Sequence, residues 1–316
     1  MASADALHGL LNVLKPPGMT SHDVVDFFRR VSGVRRVGHT GTLDPGAAGV
    51  LVLCVGRATR AASYLQESTK RYRAEMVLGV STDTHDASGR TVQVRSDFEL
   101  EWDEVERVLQ GFVGTIVQRP PMASAVRVGG RHLYQLAREG VEVEPPARSV
   151  AIHEIRIVER LPREEPRARF GARLRFDVAC GAGTYVRTLC ADAGERLGCG
   201  AHLGFLVRTA SGPFRLEDSV LLEELEQAAR QNRLAEYLLP VDAGLAHLPS
   251  VTLPRGDAGR VRHGASVPWP TGVARPGALA AGSLVRVYDP EGQLVAVARL
   301  AERPEGWLVP DRVFVP

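Results

Sequence analysis

The stretch RRVGHTGTLDPGAAGVLVLCVG, from Arg35 to Gly56, sets a single carboxylate, Asp44, between a glycine-rich entry and a proline, directly ahead of an apolar run. Pro45 disfavours the helical region for Asp44 and removes one backbone donor after it. Gly38, Gly41, Gly46 and Gly49 permit turns and close approach of another molecule. The segment reads as a loop that presents one acid. Asp-Pro-Gly is also common turn chemistry, so local grounds leave two readings open: a turn-forming aspartate, or a carboxylate acting as nucleophile or base.

Other clusters are weaker. TDTHDASGR brings Asp83, His85 and Asp86 together, which could ligate a hard metal or form a solvated polar turn before Gly89. The chain has no G-x-x-x-x-G-K-[ST] loop and no G-x-S-x-G elbow, and CGAGTYV places Val186 where a dinucleotide fingerprint needs its third glycine. No nucleotide cofactor is expected. Cys54, Cys180, Cys190 and Cys199 lack the paired spacing of a zinc site and are too sparse for a disulfide framework, so they read as buried thiols.

The elements that must position Asp44 follow from the pattern around it. A short apolar strand, Leu10 to Leu14, ends at Lys15-Pro16-Pro17-Gly18. Ser21 is expected to cap a helix whose Val24, Val25, Phe28 and Val31 recur at helical spacing, and Gly33 stops it. After the Asp44 loop come a buried strand, Val50 to Val55, and a helix through about Gln66. Tyr72, Ala74, Met76 and Leu78 alternate with Arg71, Arg73 and Glu75, which predicts a half-buried strand. Residues 118–148 lie between the pairs Pro120-Pro121 and Pro145-Pro146 and enclose a Gly129-Gly130 turn and a helix around His132 to Arg138. They read as an insertion able to move. Strands near 150–159 and 168–180, a helix from about Thr184 to Leu197 and a strand near His202 to Thr209 follow. Leu216 to Glu226 is an acidic amphipathic segment, and a second helix is expected up to Leu239. From about Val251 the pattern becomes short strands between Gly and Pro, including Leu284 to Tyr288, Leu294 to Leu300 and Arg312 to Val315, with no good helix. The fold class is α+β with a mixed sheet: one large unit over 1–248 and a small all-β appendage over 249–316.

The 316 residues are 44% hydrophobic and 24% charged, ordinary for a globular chain. No apolar run approaches the ~20 residues of a membrane span, and no basic region followed by an apolar core opens the sequence, so a cytoplasmic location is expected. The net charge of +2 conceals an asymmetry: residues 1–73 carry ten Lys or Arg against five acids. That part is the better partner for phosphate.

Taken in order, NVLKPPGMTSHDVV, GHTGTLDPGAAGVLVLCVGRATR, KRYRAEMVLG, TDTHDASG, MASAVRVGGRHLYQLAREG and GTYVRTLCADAGERLGCGAHLGFLVR resemble the bacterial tRNA pseudouridine synthase B family over nearly all of residues 9–215. The resemblance implies a mixed-sheet catalytic unit, a mobile RNA-contacting insertion at 118–148 and a PUA-like β appendage. It also implies isomerisation of uridine 55 in the T arm of tRNA, with no cofactor or metal and with a monomer acting on tRNA. By the same resemblance Asp44 is the catalytic aspartate, Arg187 its cationic partner and Tyr72 the residue that stacks on the displaced uracil. His39 fills the space the base vacates, Arg60 meets the RNA backbone, Asp86 lies near the pocket, and Gly41, Thr42 and Leu43 line the loop. One departure is visible: the family's usual P-M-Y-S-A is here Met122, Ala123, Ser124, Ala125, without the aromatic. The competing readings are an RNA-binding scaffold without chemistry and a metal-dependent hydrolase using Asp83, His85 and Asp86.

Overall fold

The structure is a computed structural model that describes residues 7–124, 126–141, 143–275, 279–302 and 306–314. Its centre is a nine-stranded mixed sheet. The strands are β1 (Gly9–Lys15), β2 (Val37–His39), β3 (Ala48–Val55), β4 (Lys70–Leu78), β5 (Gly114–Gln118), β6 (Arg148–Leu161), β7 (Arg173–Cys180), β8 (Ala201–Ser211) and β9 (Phe214–Arg215). Across the sheet they run β1-β3-β8-β4-β7-β6-β5, with β2 pairing β3 and β9 pairing β8. Only β3 and β8 are parallel. The one parallel contact brings the strand after the Asp44 loop beside a strand from far along the chain.

The apolar run of β3 is explained by burial on both faces. Leu51, Leu53 and Val55 pack with β1 against helix α1 (Ser21–Ser32) and a later helix, Leu222–Arg230. Val50, Val52 and Cys54 face the other way, onto Tyr64, Leu65 and Leu245 and onto Val297 and Phe314 of the C-terminal segment. The alternating strand β4 is covered on one face only. Ala74, Met76 and Leu78 enter a core with helices Trp102–Gln110 and α2 (Val186–Arg196), while Arg73 and Glu75 face outward. There they join cross-strand ion pairs, Arg73 with Asp177 and Glu75 with Arg173 and Arg175.

Several expectations shift. Thr20, not Ser21, caps α1: its hydroxyl accepts from Asp23 N–H while the Asp23 carboxylate accepts from Thr20 N–H. The helix expected through Gln66 starts as a 3₁₀ turn, Gly56–Ala61, and becomes α-helical only over Ala62–Gln66. The acidic segment is a 3₁₀ turn, Leu216–Asp218, ahead of the Leu222–Arg230 helix, and the last expected helix is a single 3₁₀ turn, Leu234–Tyr237.

Five strands form the C-terminal sheet: Ser250–Thr252, Val267–Pro268, Leu284–Tyr288, Leu294–Leu300 and Trp307–Val313. The strand expected over Arg312 to Val315 thus begins earlier and is followed to Val313; Val315 lies outside the described residues. A helix that the pattern did not announce, Arg255–Arg262, packs Ala258 and Val261 into that sheet's core. Two glycines and only two inward apolar positions hid it. Among the described residues no helix is long and apolar enough to cross a membrane.

Gly49 is where the β3–β8 contact is decided. Its φ is 112°, and a Cβ there would lie 2.2 Å from the Arg208 carbonyl oxygen and 2.7 Å from the Arg208 nitrogen. Backbone cannot yield as a side-chain tip can. Gly49→Ala is therefore expected to destabilise the fold by about 3 kcal/mol or more, read as a lower urea midpoint; an unchanged midpoint would show that the strands can separate freely.

Candidate active site

Asp44 opens a turn closed by a hydrogen bond from Ala47 N–H to the Asp44 carbonyl, 3.0 Å, as the Pro45-Gly46 pair requires. Leu43 and Ala47, on either side of the acid, are buried in the main core and anchor the turn. The buried Ser21 hydroxyl accepts from Leu43 N–H at 2.8 Å and donates to Leu43 C=O at 3.1 Å. Beneath the turn, Pro45 C=O accepts from Gly18 N–H at 2.8 Å and from Lys15 Nζ at 3.2 Å. Lys15 also donates to the carbonyls of Pro16 and Met19, and burial pulls its pKa down to about 8 although the Asp44 charge opposes this.

The Asp44 carboxylate meets Arg187, which lies 143 residues away in sequence, in the first turn of α2. Nη2 donates to Oδ1 at 3.0 Å, and Nε lies 2.9 Å from Oδ2. The Arg187 side chain is only 4% exposed, against 35% for Asp44, so the cation is sealed below while the acid looks outward. The rest of the guanidinium is held by Thr84 C=O at 3.2 Å, Ala123 C=O at 3.1 Å and Asp86 Oδ2 at 3.4 Å. Burial raises the Asp44 carboxyl above its ordinary value, and the Arg187 charge offsets only part of the rise. A carboxylate so placed is a stronger base and nucleophile when ionised. At Asp86 burial is outweighed by hydrogen bonds from Ser88 and Thr84 and by Arg187, so its value falls.

Tyr72 lies half-buried on the core side of β4, directly opposite Arg208 in the β4–β8 register. Burial raises its phenol, and the neighbouring Arg208 charge offsets part of that. His39 ends β2, and its Nδ1 faces Gly41 N–H at 3.4 Å; burial lowers its pKa, favouring the neutral ring. Gly41 and Thr42 present their carbonyls to Arg208. Arg60 lies apart from this group: it donates to the Val313 carbonyl of the last strand.

Asp83 and Asp86 do not converge. Asp83 turns to Arg90, accepting from its N–H at 2.9 Å and its Nε at 3.0 Å, whereas Asp86 turns to Arg187. Between them His85 has φ 62°, in the left-handed region. Among the described residues no three His, Cys, Asp or Glu are grouped to hold a metal ion. In the insertion, Arg127–Val128 and Arg131–His132 form a hairpin and Leu133–Arg138 a helix. Ala123, where the aromatic is missing, uses its carbonyl to hold Arg187; Ala125 lies outside the described residues.

Sequence reasoning missed Ser21, Lys15 and Arg208 as supports of the loop. Arg208 carried a signal: it follows Leu206 and precedes Ala210 on the inward face of β8, where a charge is out of pattern. Lys15 ended an otherwise apolar strand. The partner of Ser21, twenty-two residues on, left no local mark.

Comparison with known proteins gives a consistent result. Residues 29–186 match the model of the TruB family pseudouridylate synthase N-terminal domain, and residues 187–246 that of the tRNA pseudouridylate synthase B C-terminal domain. The chain is 48% identical over 299 residues to the tRNA pseudouridine synthase B of Moorella thermoacetica, covering 94% of this chain and 95% of that protein. It is 46% identical to the Pelotomaculum thermopropionicum protein of the same name, covering 94% and 93%. Among solved structures, the crystal structure of a Cbf5-Nop10-Gar1 complex contains a chain similar with a TM-score of 0.75 at 28% identity, covering 98% of this chain and 85% of that one.

The charges around Asp44 predict opposite responses to two substitutions. In carboxyl carbon-13 NMR titrations the Asp44 midpoint is expected above the ordinary aspartate value. Arg187→Met removes an influence that lowers it and should move the midpoint further up; Asp86→Asn removes one that raises it and should move it down. A midpoint at or below the ordinary value in the parent protein would contradict this electrostatic account.

Proposed function

The chain belongs to the bacterial tRNA pseudouridine synthase B family, and we propose that it isomerises uridine 55 in the T arm of tRNA, with Asp44 as the acid that acts on the flipped nucleotide. The observation that carries this reading is the Arg187–Asp44 ion pair, sealed on the protein side and open on the other, with Tyr72 on β4, one strand beyond β8.

The glycosidic bond from N1 must break, uracil must turn within the pocket, and C5 must bond the sugar. Nothing is oxidised or reduced. Asp44 serves as nucleophile or base, and Arg187 fixes its orientation and balances its charge. A target base inside a folded loop is reached by flipping it out, which costs a few kcal/mol, and stacking on the Tyr72 ring recovers part of that. His39 occupies the gap left in the RNA stack. Asp86 keeps Arg187 in register. The insertion grips RNA by shape and phosphate contacts, so binding weakens as salt rises.

Incubation of the purified protein with an unmodified T-arm stem-loop, in chelator and without nucleotide, is expected to yield pseudouridine; activity that needs a divalent ion would point instead to metal-dependent chemistry. Asp44→Asn should bind the RNA within about threefold of the parent yet lose at least ~1,000-fold in turnover. Full activity in that variant removes the mechanism. Because the ionised carboxylate does the work, the rate should fall as pH drops through the raised Asp44 value, placing the acid limb above that of an ordinary aspartate. Tyr72→Phe keeps the ring and deletes the hydroxyl, and unchanged turnover would confine Tyr72 to stacking.

A further inference from the structure

We propose that Arg208 is a positioning residue for this reaction: its buried guanidinium, held by three main-chain carbonyls, fixes the Asp44 loop against the strand that carries Tyr72. The proposal rests on the reading of Asp44 given above and adds a residue that meets the main chain of the loop and the Tyr72 side chain rather than the Asp44 carboxylate.

Arg208 is 2% exposed and sits on β8 between the two strands that matter, opposite Gly49 of β3 on one side and Tyr72 of β4 on the other. Its Nε donates to Val50 C=O at 2.6 Å, Nη1 to Thr42 C=O at 3.3 Å and Nη2 to Gly41 C=O at 3.0 Å. These acceptors bracket Asp44 along the chain, two before it and one after. A single rigid fork therefore ties the entry and the exit of the loop to one point on the sheet.

Packing does not account for this side chain. None of the ion pairs between described residues includes Arg208, so its charge is balanced by those carbonyl dipoles and by the neighbouring Tyr72 hydroxyl, with no carboxylate, and burying a cation that way is costly. The inward neighbours on β8, Leu206 and Ala210, are apolar, and an apolar residue at 208 would bury more cheaply. What an apolar residue could not do is hold three acceptors in a fixed mutual arrangement. A planar guanidinium does so, whereas an ammonium lacks the fork. The missing Cβ at Gly49 lets the Arg208 backbone lie directly against β3, so the fork projects from a strand paired to the exit of the loop.

Near-attack geometry makes this consequential, since a misplacement of ~1 Å can cost ~100-fold in rate. The test compares the parent protein, Arg208→Met and Arg208→Lys on the unmodified T-arm stem-loop. An inactive parent would count against the function itself; an active parent leaves Arg208 to be judged separately. Arg208→Met is expected to lose about 100-fold in kcat with KM changed less than about threefold. Its acid limb should move to higher pH, because a loosened loop weakens the Arg187 contact that offsets burial at Asp44. Arg208→Lys keeps the buried charge and is expected to lose about tenfold in kcat at unchanged KM. Variants with parental kcat and an unmoved acid limb overturn the proposal, as does a loss seen only in KM. Should circular dichroism show that the methionine variant does not fold, the lysine variant alone decides by the same readings.

Discussion

The contact on which the rest depends is the Asp44–Arg187 pair. It opposes two forces of similar kind: withdrawal from water pushes the carboxyl toward its neutral form, and the guanidinium pulls it back. Neither force is local to its residue. Arg187 is buried because α2 packs against the core side of the sheet, and it can remain a buried cation because Asp86 and the carbonyls of Thr84 and Ala123 surround it. Asp44 stays partly open while its neighbours Leu43 and Ala47 anchor the loop in the core. The exposures of 4% and 35% show the geometry of the pair: the cation faces inward, and the acid keeps one side open.

The chain has only two lysines, Lys15 and Lys70, among 39 cationic residues. Both are buried, and burial pulls both down to about 8. Lys15 gathers the carbonyls of Pro16, Met19 and Pro45; Lys70 gathers those of Leu65, Gln66 and Ser68. An ammonium with three donors in tetrahedral arrangement suits three converging carbonyls, whereas a planar guanidinium suits the spread acceptors around Arg208. A general bias toward arginine explains the solvent face of the sheet, where Arg73, Arg156 and Arg175 pair with acids. At two buried places geometry overrides that bias.

How much of this was legible in the sequence depends on the range of the interaction that decided it. The alternation of β4 and the continuous apolar run of β3 report burial of one face and of two, and both appear in the structure as read. The Asp44 turn was visible in Asp-Pro-Gly. The Thr20 cap was misassigned to Ser21 because both residue types cap helices, and only the distant claim of Leu43 on the Ser21 hydroxyl separates them. The helix at Arg255–Arg262 was hidden by Gly256 and Gly259, low helix propensity being overridden by packing of Ala258 and Val261. The Asp44–Arg187 contact spans 143 residues, and no periodicity encodes it; only resemblance to a family suggested it.

The order in which these contacts depend on one another runs from backbone to charge. Gly49 has no Cβ, so β8 can lie against β3; β8 thereby delivers Arg208 to the carbonyls of Gly41, Thr42 and Val50. Lys15 and Ser21 hold the same loop from the opposite side, at Pro45 and Leu43. With its backbone fixed from two directions, Asp44 retains only the two torsions of its side chain, and the contact with Arg187 restrains them. Each support is a residue whose own charge or polarity would be unfavourable in a core without those acceptors. Stability has been exchanged for a carboxylate held at one position, as a preorganised site requires.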